Sequence, residues 1–427
     1  RDLIVTGVQT CALPICNMRV LLLLALVAVA AAYKSYEGYK VLSVTARNEA
    51  QLTFLRSLES GEQLDFWHFR NAIDIPADIM VPPHMVDVLR HTLGLHGMNS
   101  VIINHNVQAD IDAETERLQK KKADEPSLFY DYGDYNTYET IMTELDALVA
   151  RCPAGFECDV SVIGQSVEGR DLKLLSIGTG GRPAHWFDST IHAREWLSTA
   201  TMMNIINRIF DQADDEAIAL LANNDYYFLP VMNPDGYEFT WSDDRLWRKN
   251  RGENEGSPCI GTDLNRNYDH NWSGGGAAPL PCADTYYGDS PASEPETQAT
   301  QNKAQELAGQ LLSWHSVHTY GYYWLWPYGD CTLPNRWEDV KQVADATCAA
   351  VAATHGTTWD CGNSCQTLYA TSGGTIDYTL DLGILYSYVP ELRGNSFVAP
   401  PSEIAVSFEE IWNGVVAMVD EVASIEG

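Results

Sequence analysis

A chain of 427 residues exceeds one ordinary domain, and a hydrophobic share of 45% is enough to bury a sizeable core. A formal net charge of −31 gives a surface that repels nucleic acid and anionic membrane, so neither is expected as a partner. Nearly all of that charge falls after residue 122, while residues 33–122 are close to balanced.

Residues 1–17 precede the first natural start at Met18, carry Cys11, Pro14 and Cys16 without periodicity, and read as translated sequencing-adapter sequence outside the fold. Met18-Arg19, the apolar run Val20 to Val29 and the small residues Ala30 to Ala32 read as a secretory signal peptide over 18–32. About a dozen apolar residues cannot span a bilayer, so a secreted, extracellular, soluble protein is expected.

Residues 33–122 have their own rhythm. Tyr39 to Thr45, Leu64 to Phe69 and Val101 to Asn104 read as strands; Glu49 to Glu59, Pro82 to Leu93 and Asp112 to Lys122 read as helices. This predicts a small two-layer α+β domain. It ends at Lys120-Lys121-Lys122, followed by the polar stretch Ala123 to Ser127. Three lysines suit the end of a solvated helix; they equally suit a trypsin-like processing site between an inhibitory prosegment and an enzyme spanning 123–427.

Beyond the linker, strand-like runs alternate with helix-like ones. The strands are expected at Leu172 to Ser176, Ala184 to Ser189, Tyr226 to Met232, Leu311 to His318 and Ile384 to Tyr388. The helices are expected at Trp196 to Phe210, Glu294 to Ala308, Trp337 to Thr354 and Ser402 to Ile425. The alternation argues for an α/β sheet covered by helices on both faces. Asn233 to Gly236 and Ser273 to Pro281 read as loops, and Asn271-Trp272-Ser273 is an acceptor pattern for N-glycosylation. Cys11 and Cys16 apart, the ten cysteines all lie beyond Lys122, and in an exported chain they are expected to form disulfides.

The chemistry centres on Ser189 to Trp196. His192 and Glu195 are three apart, so one turn of backbone can aim both at a single point. An imidazole and a carboxylate are two of the three protein ligands of an open catalytic zinc. They sit between a strand-like run and a helix-like one, at the carboxyl end of a strand, where open α/β sheets carry their sites. A chain this acidic that gathers Arg245, Arg248, Lys249 and Arg251, with Arg266 close behind, offers positive charge to an anionic ligand group. His318 ends another strand-like run, and His315, three residues before it, reads as a core histidine.

With Leu264 to Asn267, Arg248, Tyr369 and Pro390 to Arg393, these motifs follow one another as they do in the secreted zinc metallocarboxypeptidases of the pancreatic A/B type, which the chain resembles from Tyr39 onward. The resemblance implies a mixed sheet flanked by helices, preceded by a ferredoxin-like prosegment that covers the cleft. It implies one zinc per chain on His192, Glu195 and His318, with Asp263 orienting the first histidine. Glu391 matches the general base and Arg248 the oxyanion stabiliser. Asn265 and Arg266 match the clamp for a terminal carboxylate, Tyr369 the tyrosine that closes over substrate, and Arg194 an adjacent subsite. Ile376, at the position that separates the two specificities, implies A-type removal of apolar or aromatic C-terminal residues. B-type removal of Lys or Arg is the alternative, since Ser364, Asp377 and Asp381 lie near in sequence. A catalytically silent peptide-binding relative is a further one, although such relatives lose a group that is present here. Cys259–Cys282 and Cys331–Cys365 look like bridges of the family, leaving Cys152–Cys158 and Cys348–Cys361. The implied partners are substrates with a free C-terminus and an activating trypsin-like protease, acting on a monomer. Pro390 departs from the pattern, because a proline in a strand calls for an edge or a ladder end.

Overall fold

The computed structural model describes residues 33–59, 64–70, 72–124, 129–210 and 215–427. The expected adapter and signal segments lie outside these residues. Among the described residues, no helix is long and apolar enough to cross a membrane.

The first unit is built from β1 (Lys40–Thr45), α1 (Glu49–Glu59), β2 (Asp65–His68), β3 (Pro76–Val81), α2 (Val86–Leu95) and β4 (Ser100–Asn104). Its antiparallel sheet has the order β2-β3-β1-β4, and the β-α-β-β-α-β sequence is that of ferredoxin-like folds. Alternation along the strands gives the sheet two different faces. Leu42, Val44, Ile79 and Val81 pack with Leu52, Leu55, Leu89 and Leu93 of the helices. Val41, Trp67 and Met80 point the other way and pack with Leu246, Tyr320 and Phe397 of the second unit. The strand β3 was not among those expected; Pro76 opens it, where a missing N–H costs no ladder bond. The helix α3 (Val107–Asp124) then leads onward, and it contains Lys120 to Lys122 together with the start of the expected linker.

The second unit carries α4 (Tyr138–Val149), β5 (Glu157–Gln165), β6 (Asp171–Gly178), β7 (Ala184–Ser189), α5 (Trp196–Phe210), α6 (Asp215–Asn223), β8 (Asp225–Leu229) and α7 (Pro234–Ser242). It continues through α8 (Pro295–Leu307), β9 (Leu311–Thr319), β10 (Tyr323–Trp326), α9 (Trp337–His355), β11 (Asp360–Asn363), α10 (Ser364–Thr367), α11 (Thr375–Asp381), β12 (Tyr386–Leu392) and α12 (Ser402–Glu426). Eight strands form one mixed sheet in the order β11-β10-β12-β9-β7-β8-β6-β5. The strands β12, β9, β7 and β8 run parallel at its centre. Both faces are covered there, and β7 and β9 are buried almost without interruption. Phe187 faces the core of α5, α9 and α12, while Trp186 faces that of α8 and α11.

Several elements lay hidden in the sequence. Asn233-Pro234-Asp235-Gly236 is not a loop but the start of α7: the Asn233 side chain accepts from the Gly236 amide at 3.0 Å and Pro234 takes the first turn. Pro390 is in an interior strand, not at an edge. Pairing of β12 with β9 passes from Tyr388↔His315 to Glu391↔His318, and the lapse falls where proline has no N–H to give. The structure joins Cys152–Cys158, Cys259–Cys282, Cys331–Cys365 and Cys348–Cys361.

Candidate active site

His192 and Glu195 lie in the turn between β7 and α5. Thr190 takes a positive φ of 56° at the strand's end, and the Glu195 amide closes back on the His192 carbonyl at 3.2 Å. His318 sits one residue before the end of β9, a neighbour of β7 in the sheet. All three side chains are buried and converge: His192 Nδ1 lies 2.8 Å from Glu195 Oε1, and His318 Nδ1 lies 3.1 Å from both His192 Nδ1 and Glu195 Oε2. Donors about 2 Å from a shared tetrahedral ion stand roughly 3.3 Å apart, so this triangle fits a zinc ion in size and in donor type. Among the described residues it is the one group with such a geometry.

The donors are themselves held. The Thr319 amide donates to Glu195 Oε2 at 3.1 Å. His192 Nε2 meets Asp263 Oδ1 at 3.1 Å, and that same oxygen accepts from the Asn265 amide at 2.9 Å. Arg248 donates to Asp263 Oδ2 through Nη2 at 2.8 Å and Nε at 3.2 Å. Burial alone would push the Asp263 carboxyl up, but Arg248 and His192 hold it well below the carboxylate range. Glu195 is likewise lowered against its own burial, by the two histidines.

Glu391 stands opposite His318 in the ladder. Burial pushes its carboxyl up to about 8; Glu195 adds to the rise, while His318 and Arg248 oppose it. Asn265 and Arg266 form a single 3₁₀ turn capped by Asp263. Asn265 Oδ1 accepts from the Thr375 amide at 2.9 Å and its hydroxyl at 3.1 Å, which turns the amide nitrogen to the other side. The Arg266 guanidinium is positioned by the carbonyls of Gly276 and Asn265, each at 2.8 Å.

A cavity of about 660 Å³ joins these groups. His192, Glu195, His318, Arg194, Arg248, Asn265, Arg266, Tyr369, Ile376 and Glu391 all line it. Asp263 stands behind His192. Ile376 belongs to an apolar cluster with Tyr323, Leu325 and Val389. Asp381 is turned away to His270 Nδ1 and Tyr328 Oη, each at 2.8 Å. His315 is a core residue, stacked on Phe187 at 4.5 Å and bonded to Ser313 Oγ at 2.8 Å.

The first unit closes the cavity, as the resemblance implies, but the residues through which it does so were not legible in the sequence. Glu59, Asp65, Trp67, His68 and Phe69 line the cavity. Asp65 takes Arg194 with both carboxylate oxygens, at 2.6 and 3.0 Å. Phe69 stacks on Tyr369 at 6.4 Å. Glu59 is raised by burial, with Arg266 and Arg248 pulling the other way, so an acid of the first unit faces both arginines. The arginine cluster read from the sequence is split: Arg245 is buried against Glu114 of α3 and lies 3.6 Å over the Trp196 ring.

Residues 141–414 match the family described as zinc carboxypeptidase, and residues 42–114 match the carboxypeptidase activation peptide. The chain is 36% identical over 410 residues to carboxypeptidase A2 of Mus musculus, covering 94% of this chain and 98% of that protein. It is 34% identical over 413 residues to zinc carboxypeptidase A 1 of Anopheles gambiae, covering 94% and 93% respectively. Among solved structures, carboxypeptidase A from Helicoverpa armigera matches with a TM-score of 0.86 at 27% identity, over 92% of this chain and all of that one (100%).

Proposed function

From a chain that belongs to the zinc carboxypeptidase family and carries its activation peptide, we infer a secreted, monomeric exopeptidase that binds one zinc per chain and removes apolar or aromatic C-terminal residues. The observation that carries this reading is the buried donor triangle of His192, Glu195 and His318, sharing one cavity with Glu391, Asn265 and Arg266.

The terminal carboxylate of a peptide enters the fork of Arg266 and the free amide nitrogen of Asn265, a match that a planar guanidinium makes better than an ammonium. An exopeptidase needs that clamp, and an endopeptidase is obstructed by it. Zinc, when bound, polarises the scissile carbonyl and lowers the pKa of attacking water. Positive charge held by His192, Glu195 and His318 would favour the carboxylate form of Glu391, which burial and Glu195 push up. Glu391 then takes the proton of the water and delivers it to the leaving amine. Arg248 stabilises the developing oxyanion, an interaction worth about 3–4 kcal/mol for a single donor. Asp263 fixes the ring of His192. Arg194 serves the neighbouring subsite and Tyr369 closes over the bound residue; both are held by the prosegment in the precursor, through Asp65 and Phe69. Residues 33–122 are the inhibitory prosegment, and a trypsin-like protease releases the enzyme at Lys120 to Lys122. The four disulfides suit extracellular conditions.

The test is a hydrolysis panel on the trypsin-treated chain, with free-acid and C-terminally amidated versions of the same peptides, with and without a chelator. Cleavage confined to the free acids, lost with chelator and restored by zinc, is the expected result. Equal cleavage of the amidated peptides would remove the clamp reading.

A further inference from the structure

The pocket beside Ile376 has apolar walls and two polar atoms with nothing to bond. Leu325, Leu368, Ile376 and Val389 face the cavity, and Ser364 and Asp377 line it with them. The Ser364 hydroxyl is buried without a hydrogen-bond partner among the described residues. The same holds for Oδ1 of Asp377, whose Oδ2 accepts from the Gly329 amide at 2.9 Å. Ser364 is also firmly placed. It follows β11 directly, Asn363 before it donates to the Tyr328 carbonyl at 3.1 Å, and Cys365 after it is bridged to Cys331.

A buried hydroxyl left unpaired costs free energy, and a bound group that pairs with it recovers that cost. We propose that Ser364 makes this pocket select a C-terminal tyrosine over phenylalanine, by exchanging a hydrogen bond with the phenol while Ile376, Leu325 and Val389 hold the ring. The proposal deepens the exopeptidase reading and rests on it. A phenol offers the hydrogen-bonding chemistry that either atom lacks. It can donate to Asp377 Oδ1 and accept from the Ser364 hydroxyl, which is itself both donor and acceptor. Phenylalanine and leucine fill the apolar walls but leave both polar atoms bare. A lysine or arginine head meets the apolar side of Ile376; Asp381 is committed to His270 and Tyr328, and Asp377 is half committed through Oδ2 to the Gly329 amide.

The full chain, activated with trypsin, is given matched peptides that differ only in their last residue: phenylalanine, tyrosine, O-methyltyrosine, leucine or lysine. For tyrosine, kcat/KM should exceed that for phenylalanine by about five- to tenfold, the range of one neutral hydrogen bond in a buried site. O-Methyltyrosine, which cannot donate and is larger, should fall to the phenylalanine value or below. In Ser364→Ala and in Ser364→Gly the tyrosine-to-phenylalanine ratio should fall, with Asp377 Oδ1 the one partner left to the phenol. The ratio is taken within each variant, so a general loss of activity cancels. An unmodified enzyme with a flat ratio, a ratio that survives both substitutions, or a preference for lysine overturns the proposal. Cleavage of the phenylalanine and leucine peptides with a flat ratio refutes Ser364 alone, whereas no cleavage of any free-acid peptide refutes the exopeptidase reading and this proposal together.

Discussion

Replacing Glu114 by alanine should loosen the precursor while leaving the mature enzyme untouched. Glu114 sits on α3 and pairs with Arg245, whose Nε and Nη2 both donate to its carboxylate. Both side chains are nearly withdrawn from water, at 1% and 5% exposure. Arg245 also donates to the carbonyls of Arg194 at 3.1 Å and Phe397 at 2.9 Å. In Glu114→Ala these two carbonyls and the Trp196 ring remain, but the counter-charge is gone. Breaking a buried pair from one side costs roughly 3–5 kcal/mol, and the surviving partners place this case at the lower end, about 3 kcal/mol. That is a shift of about two decades in the equilibrium between docked and undocked prosegment. The assay compares initial rates on a small blocked peptide ending in phenylalanine, before and after trypsin. Uncleaved Glu114→Ala should show up to about a hundredfold more activity than the uncleaved natural chain, and its urea midpoint should fall. The proposed cleavage at Lys120 to Lys122 would remove the substituted residue, so the two mature enzymes would be chemically identical and any difference would belong to the precursor. Equal basal rates and equal urea midpoints would refute the claim that this pair holds the units together.

Three further outcomes can be checked directly. Glu391→Gln should retain zinc, measured by metal analysis, while turnover falls about 10²- to 10⁴-fold, as for the loss of a general base; near-normal turnover would remove Glu391 from that role. Ile376→Asp should move preference from phenylalanine toward arginine at the C-terminus, because it places a counter-charge in an apolar wall, and a natural enzyme that already prefers arginine would refute the A-type assignment. Glu296 is buried, and burial pushes its carboxyl up to about 7 from an ordinary value of 4.5. The folded state therefore binds the proton more tightly than the unfolded one, and this contribution to stability is full below about pH 4.5 and lost as pH rises through about 7. Urea midpoints measured from pH 5 to 8 should show that fall, and Glu296→Gln should flatten it.

The residues that converge on the metal-binding geometry were legible because their spacing is local or their strands are regular. His192 and Glu195 share one turn, and His318 ends a strand-like run. The strand β3 escaped because Pro76 and Asp78 interrupt its apolar pattern, and α7 because its capping residues also make turns. That the first unit covers the cavity followed from the resemblance, but the residues that do so were beyond reach for a different reason. Asp65 and Glu59 look like any charges on a strand and a helix end, and only docking of one unit on the other brings them to Arg194 and Arg266. The same limit misled the reading of Arg245: charge clustering in sequence says nothing about a partner some 130 residues away, and Glu114 is that partner. Ser364 was singled out in the sequence only beside Asp377 and Asp381, and what distinguishes its hydroxyl is what fails to bond to it.

The proposed cut at the lysines that end α3 would make activation a matter of timing. A protease takes its target in extended form, yet Lys120, Lys121 and Lys122 are helical, and Lys121 is tied to Asp131 and Asp134, with Arg117 on Asp134 as well. The rate at which this bond becomes available is thus set by how often the last turns of the helix open, and not only by how much protease is present. Glu114, about two turns earlier on the same helix, fastens the units together. Unwinding that begins at the lysines travels toward that fastening, so the cut and the release are successive stages of one melting helix, and temperature paces them both.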